Sequence, residues 1–258
     1  MSRIEEFSLD ISPLTQSPRK IWVYLPESYD HTKKKYDVLY MFDGHNLFDD
    51  SLATYGKSWG IKDYLDKTGI DLVVIGQDCN HHGTKRMDEY CPMRAERLFG
   101  DDPITAQGDI TADWFVNVLK KECEKRYRIY KTRNHVGIGG SSMGGLMSEY
   151  MAAKYSSVYG SAACISPAHY YCWEGLHSLI ENTDIEKCRV FLSFGSEEIK
   201  GDNDRWAIAM ESLLEMNHRF EEKGCVCYPY LQKGGFHSEA SWEKMVPVFL
   251  KWMYPHLF

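Results

Sequence analysis

The stretch VGIGGSSMGGL, residues 136–146, decides the fold of this chain. A short apolar run at 135–139 leads into the glycine- and serine-rich turn, and a helix-forming stretch at 146–155 leads out of it. Its central residues, Gly140-Ser141-Ser142-Met143-Gly144, fit G-x-S-x-G, the pattern of a serine held on a tight strand-to-helix turn. The pattern therefore predicts an α/β architecture in which Ser142 stands at the end of a buried strand.

A serine on such a turn needs backbone angles that ordinary residues avoid, so the residues two positions away on either side must be nearly bare. Gly140 and Gly144 meet that need. The following helix directs its first N–H groups, starting with that of Met143, at a developing oxyanion. A glycine-rich turn that only packs on a neighbouring strand is the structural alternative. Ser141 offers a second hydroxyl, but Ser142 occupies the central position.

Short apolar runs alternate with longer amphipathic ones along the chain, which is typical of a mostly parallel central sheet flanked by helices. We predict strands over 19–25, 36–42, 70–75, 135–139, 161–165, 190–194 and 226–231, and helices over 112–127, 146–155, 203–223 and 242–253. No linker-like tract interrupts the alternation, so we predict one domain over 1–258. The final aromatic-rich helix could pack on the core or on another subunit, which leaves a homo-oligomer open.

Composition narrows the class of partner. Lys and Arg number 30 against 37 Asp and Glu, and no basic cluster indicates nucleic-acid binding. No apolar run is long enough to cross a bilayer. The first residues, MSRIEE, are acidic where a signal peptide is apolar, and the eight cysteines show no paired metal-type spacing. We therefore expect a cytoplasmic protein without nucleic-acid or membrane partners.

A serine hydroxyl is a weak nucleophile without a base, so a histidine is expected later in the chain. His237 lies in GGFHS, residues 234–238, between the last predicted strand and the final helix. A solvent-facing loop histidine would be the unremarkable alternative. The position favours His237 as the general base.

An acid should hold the imidazole, and a loop between the serine and the histidine offers four. The predicted strand at 190–194 is followed by GSEEIKGDND, which contains Glu197, Glu198, Asp202 and Asp204. Either carboxylate type can fix the histidine tautomer, so the pattern alone does not choose among them.

The loop after the predicted strand at 36–42 should supply a second oxyanion donor. Gly44 permits a close backbone approach there, and His45 could contribute its backbone N–H. A metal site using His45, His81 and His82 is an alternative, but no ligand spacing supports it. We expect neither a metal nor an organic cofactor.

Four segments of the chain resemble the serine esterase family that includes esterase D, enterochelin-esterase-like enzymes and feruloyl esterase domains. They are VLYMFDGHNLF at 38–48, RMDEYCP at 86–92, the glycine-rich turn at 139–145 and GFH at 235–237. The resemblance implies the α/β-hydrolase fold and ester hydrolysis through an acyl-enzyme, and it suggests Glu198 as the acid. Two departures are that His45 stands where many relatives carry Gln, and that the separate N-terminal domain of some siderophore esterases is not seen.

The 86–92 segment has two interpretations. Arg86, Glu89 and Tyr90 could line the substrate pocket, or a contact between Arg86 and Glu89 could simply tie a structural loop. The favoured function is hydrolysis of a small, short-chain acyl ester. A thioesterase similar to S-formylglutathione hydrolase, or an acyltransferase, would use the same residues. A non-enzymatic binding module would be expected to lack the serine or the histidine.

Overall fold

Eight strands form one sheet in the computed structural model, which describes residues 1–258. The strands are β1 (Arg3–Leu9), β2 (Arg19–Leu25), β3 (Asp37–Met41), β4 (Leu72–Gln77), β5 (Val136–Ser141), β6 (Ser161–Ile165), β7 (Arg189–Gly195) and β8 (Val226–Gln232). Their order is β1-β2-β4-β3-β5-β6-β7-β8. β2 pairs antiparallel with β1 and β4, and the remaining neighbours are parallel. The carboxyl ends of β3 to β8 therefore meet at one edge, where α/β sheets present their sites.

Helices cover both faces of the sheet. They are α1 (Ile61–Thr68), α2 (Lys85–Glu89), α3 (Gly108–Trp114), α4 (Lys120–Arg126), α5 (Met143–Lys154), α6 (Trp173–Asn182), α7 (Asn203–Glu222), α8 (Glu239–Trp242) and α9 (Val246–Met253). The larger core, of 46 buried residues, lies under α3 to α7, and a second core of 20 lies under α1, α8 and α9. No helix combines the length and the apolar character that a membrane span requires.

The predicted α/β-hydrolase architecture is confirmed, with local differences. β2 and β6 have the predicted bounds, and the other predicted strands shift by one or two residues. β1 was not predicted because its charged, half-exposed sequence RIEEFSL lacks a long apolar run. The predicted helix at 112–127 starts earlier, at Gly108, and contains a π-helical turn, Phe115–Leu119.

The chain's last helix packs on its own core. The predicted helix at 242–253 is divided into α8, a 3₁₀ turn and α9. Phe249 and Leu250 of α9 are buried against the sheet, with 0% and 1% of their surface exposed. Of the two environments that the sequence allowed for this helix, the structure shows packing on the core of the same chain.

Candidate active site

Ser142 lies between β5 and α5 with backbone angles φ 57° and ψ −119°. A non-glycine residue rarely adopts positive φ, and such strain persists only where the surroundings fix it. Three backbone hydrogen bonds do so here: the Ser142 amide donates to the Ile165 carbonyl at 2.9 Å, and the Ser142 carbonyl accepts from Leu146 and Ala168 at 3.0 Å each. The half-buried Ser142 side chain is thereby presented at the carboxyl edge of the sheet.

Gly140 and Gly144 pack against each other beneath the serine. A Cβ on Gly140 would lie 2.8 Å from the Gly144 carbonyl carbon, and a Cβ on Gly144 would lie 3.0 Å from the Phe42 Cβ. The first of these distances is too short for any side chain. Close backbone approach therefore requires the glycine at 140, and the Phe42 side chain leaves little room for any residue larger than glycine at 144.

His237 follows β8 and meets one carboxylate. Its Nδ1 lies 2.7 Å from Glu198 Oε2, so the imidazole donates Nδ1–H to that oxygen. The His237 ring also packs on Trp242, with centroids 5.1 Å apart. Its side chain is 42% exposed, whereas that of Glu198 is 3% exposed. The remaining nitrogen, Nε2, is therefore the one available for proton transfer.

The other oxygen of Glu198 is also fully engaged. Glu198 Oε1 accepts from the Gly195 amide at 2.7 Å and from Ser166 Oγ at 2.6 Å. Ser166 Oγ in turn accepts from Trp242 Nε1 at 3.1 Å. Charge-assisted bonds of this kind hold the carboxylate in one orientation. Ser166, at the end of β6, and Trp242 were not predicted from the sequence; the positive φ of Ser166, 45°, is visible only in the structure.

The other three acids of this loop have different surroundings. Glu197 accepts from Ser196 Oγ at 3.3 Å, and Asp202 caps the start of α7 by accepting from the Arg205 amide at 2.9 Å. Asp204 is exposed in the first turn of the same helix. Among the four carboxylates that the sequence left open, only Glu198 is hydrogen-bonded to His237.

The loop after β3 is held in a left-handed turn by an ion pair. Asp43 has φ 56° and ψ 52°. Arg86 donates to both of its oxygens, at 2.8 Å from Nε and 2.7 Å from Nη2. Burial alone would raise the pKa of Asp43, but the Arg86 guanidinium outweighs it and lowers that pKa. Gly44 follows, where a Cβ would lie 2.6 Å from the Gly76 backbone.

His45 and Met143 present backbone groups at this edge. The His45 imidazole is occupied, with Nδ1 2.9 Å from Asp78 Oδ1 and Nε2 3.0 Å from Thr54 Oγ1. Its backbone N–H therefore remains the group that could serve an oxyanion. Met143 is the first residue of α5, and the N–H groups of a first helical turn have no partner within the helix.

The pocket assignment for Glu89 and Tyr90 is wrong. Both are buried, at 1% and 0% exposure, and therefore do not line an open pocket. Glu89 pairs with Arg19 at 2.8 Å, and Tyr90 donates to Gln77 Oε1 at 2.9 Å. The alternative contact between Arg86 and Glu89 is also not formed, since Arg86 binds Asp43. Arg86, a quarter exposed, supports the turn that carries Gly44 and His45.

A buried carboxyl beside the histidine loop was also not predicted. Glu239 is 5% exposed and accepts from Asn46 Nδ2 at 3.3 Å, which links the loop after β3 to the one after β8. Burial, reinforced by the nearby Asp43 charge, raises the pKa of Glu239. Its carboxyl therefore retains a proton at higher pH than an ordinary glutamate.

The sequence model of the family described as "Putative esterase" matches residues 12–253. The chain is 26% identical to the protein YbbA of Bacillus subtilis (strain 168), which is described as uncharacterized. The alignment spans 248 residues and covers 92% of each of the two chains.

Solved structures show the same fold. An IroE-like serine hydrolase from Shewanella oneidensis superposes with a TM-score of 0.74 at 15% identity, over 96% of this chain and 81% of its own. An S-formylglutathione hydrolase from Agrobacterium tumefaciens superposes with a TM-score of 0.66 at 15% identity, over 100% and 96% of the two chains. These similarities extend over nearly the whole chain.

Proposed function

The chain belongs to this esterase family and hydrolyses ester bonds, and we propose that it does so as a serine carboxylesterase acting on small, short-chain acyl esters. The observation that carries the proposal is the hydrogen bond of 2.7 Å between His237 Nδ1 and Glu198 Oε2. It orients a histidine whose Nε2 is free, at the same sheet edge as the strained Ser142. That combination is the arrangement of a nucleophile, a base and an orienting acid.

In the proposed reaction, Ser142 Oγ attacks the ester carbonyl while His237 Nε2 takes the hydroxyl proton. The imidazolium then gives this proton to the departing alcohol, and an acyl-enzyme forms on Ser142. A water molecule, deprotonated in turn by His237, then attacks the acyl-enzyme, and the imidazolium returns the proton to Ser142 Oγ as the acid leaves. Ser142 and His237 are not hydrogen-bonded to each other in the structure, so substrate binding must bring Oγ and Nε2 to about 2.6–3.2 Å.

Glu198 keeps the His237 proton on Nδ1 and offsets the charge that the ring gains during the attack. The backbone N–H groups of Met143 and His45 would receive the oxyanion, and one such donor is typically worth about 3 kcal/mol. The Arg86–Asp43 pair fixes the turn before Gly44 and thereby holds the His45 N–H in position. Because these groups act through oriented dipoles, they need no metal or organic cofactor.

A thioester would be attacked by the same residues, and one relative in fold is described as an S-formylglutathione hydrolase. A comparison of kcat/KM for matched oxyesters and thioesters separates the two substrate classes. We also propose a cytoplasmic location.

The experiment that tests the nucleophile is labelling with a fluorophosphonate, followed by mass spectrometry of the adduct and a p-nitrophenyl acetate assay. We expect one covalent adduct, on Ser142, and loss of both labelling and turnover in Ser142→Ala. Ser141→Ala is the matched control, since its hydroxyl lies one residue away, and it should keep both. Full activity in Ser142→Ala, or an adduct on Ser141, would contradict the proposal.

A further inference from the structure

Four potential metal ligands converge beside the loop after β3. They belong to His45, Asp78, Cys79 and His81, called here the His45 cluster, and all four ligand atoms lie within 4.8 Å of one another. His45 comes from the loop after β3, and the other three come from the loop that follows β4. Because β3 and β4 are parallel neighbours, the sheet itself brings these two loops together.

The Asp78 carboxylate links the two imidazoles of the cluster, and the Cys79 thiol lies beside one of them. His45 Nδ1 and His81 Nε2 each lie 2.9 Å from the same oxygen, Asp78 Oδ1. Cys79 Sγ lies 3.9 Å from His81 Nδ1 and 4.0 Å from His81 Nε2. Tetrahedral zinc has bonds of about 2.0–2.3 Å, which separate its ligand atoms by roughly 3.3–3.7 Å. The cluster therefore needs only small side-chain shifts to enclose an ion.

We propose that the His45 cluster is a binding site for a divalent transition metal, with Zn²⁺ as the ion that best fits its chemistry. Two imidazoles, a carboxylate and a thiolate are a donor set that zinc binds in proteins, and four ligands complete its tetrahedron. Binding replaces the Cys79 S–H bond with an Sγ–metal bond and releases that proton to solvent. The thiolate and the Asp78 carboxylate then balance the charge of the ion.

The surroundings provide both an outer partner and an entry path. His45 Nε2 lies 3.0 Å from Thr54 Oγ1, so the ring can bind metal through Nδ1 while it donates Nε2–H to this hydroxyl. His45 and Cys79 are buried, whereas the His81 side chain is 56% exposed. An ion can therefore enter past His81 and reach ligands that are held in place.

This set differs from the one that the sequence suggested. His82, the third histidine considered there, is not part of the cluster, and Asp78 and Cys79 take its place. A second group, formed by Asp37, His135 and His256, has only three members and no thiol. It lies at the opposite edge of the sheet, at the start of β3 and β5, and provides an internal comparison.

The test measures metal binding directly. Protein freed of metal with a chelator is titrated with Zn²⁺ in competition with a chromophoric chelator. A separate metal-free sample is titrated with Co²⁺ as a spectroscopic probe. We expect one tightly bound Zn²⁺ per chain, and a thiolate-to-cobalt charge-transfer band. Bound metal should also raise the Tm, because an ion that binds only the folded state stabilises it.

Variants then assign the site. His81→Ala removes an exposed ligand and should weaken Zn²⁺ binding at least about tenfold, since even the loss of an outer-shell partner costs that much. Cys79→Ser should abolish the cobalt charge-transfer band. His82→Ala is the matched control and should leave binding and band unchanged, and thermal melts of the metal-free variants verify folding. Zn²⁺ binding that survives both His81→Ala and Cys79→Ser, or that is lost in His256→Ala instead, would overturn the proposal.

Discussion

The Nδ1 atom of His237 lies 2.7 Å from the Oε2 atom of Glu198, although the two residues are 39 positions apart in the chain. Two features make this contact specific. Glu198 Oε1 is held by the Gly195 amide and by Ser166 Oγ, so only Oε2 is left to face the ring. Gly195 is also required, since a Cβ there would lie 2.3 Å from the Gly235 carbonyl oxygen. The loops after β7 and β8 are thereby joined at the point where the histidine sits.

The first prediction concerns Glu198→Gln. We expect kcat for p-nitrophenyl acetate to fall by about 10³- to 10⁴-fold with little change in KM, because an amide can donate to Nδ1 and favour the wrong tautomer. Glu197→Gln is the matched control, one residue away and without contact to His237, and should stay near wild type. Near-normal turnover in Glu198→Gln beside a collapse in Asp202→Asn or Asp204→Asn would show that another acid orients the base.

Local rules account for much of what could be predicted. The buried strands and the turn at Ser142 were predictable because periodicity and glycine sterics act over a few residues. The acid that orients His237 could not be predicted from the residues alone. Glu197 and Glu198 have the same chemistry, and only the fold decides which of them contacts His237. The Arg86–Asp43 pair was missed for a related reason. Glu89 lies three residues from Arg86 and suggested a local contact, whereas the folded chain brings the distant Asp43 to the guanidinium.

The second prediction tests the sterics of the turn. Gly140→Ala places a Cβ 2.8 Å from the Gly144 backbone, which must move and carry Ser142 with it. We expect kcat/KM to fall at least about 100-fold, in line with the cost of a 1 Å misplacement. Gly139→Ala, on the same strand with its nearest contact at 3.3 Å, should be clearly milder. Equal kinetics in the two variants, measured on folded protein, would refute this account.

The third prediction removes the support of the oxyanion loop. In Arg86→Ala the buried Asp43 loses both guanidinium donors. We expect the free energy of unfolding to fall by about 3 kcal/mol, the low end for breaking a buried pair, because Arg86 is a quarter exposed. kcat should fall as well, because the turn before Gly44 loses its anchor. Lys85→Ala is the control: the Lys85–Asp88 pair is 56% exposed on the lysine side, and its loss should cost under about 1 kcal/mol.

The pH dependence of Arg86→Ala follows from the lowered pKa of Asp43. The pair's contribution is fully present above the ordinary aspartate pKa of 3.8, and it is lost as the pH falls from there through the lower pKa of the folded state. Urea unfolding of wild type and variant should therefore converge in acid. A stability difference that stays constant down to the lowest accessible pH would show that packing, and not the ion pair, accounts for the loss.

The fourth prediction concerns Glu239, whose folded-state pKa is raised mainly by burial. In the unfolded chain Glu239 loses its proton at about the ordinary pKa of 4.5, whereas in the folded chain it keeps the proton to higher pH. Between these two pKa values the native state therefore binds more protons than the unfolded state. Stability should therefore decline as the pH rises through that window. Glu239→Gln keeps an oxygen for Asn46 Nδ2 and cannot ionise, so it should be more stable than wild type at neutral pH and equal to it below the window. Urea unfolding from pH 4 to 8 measures this, with the exposed Glu211→Gln on α7 as control. An unchanged difference across that range would mean that Glu239 is not a proton-binding group of the folded state.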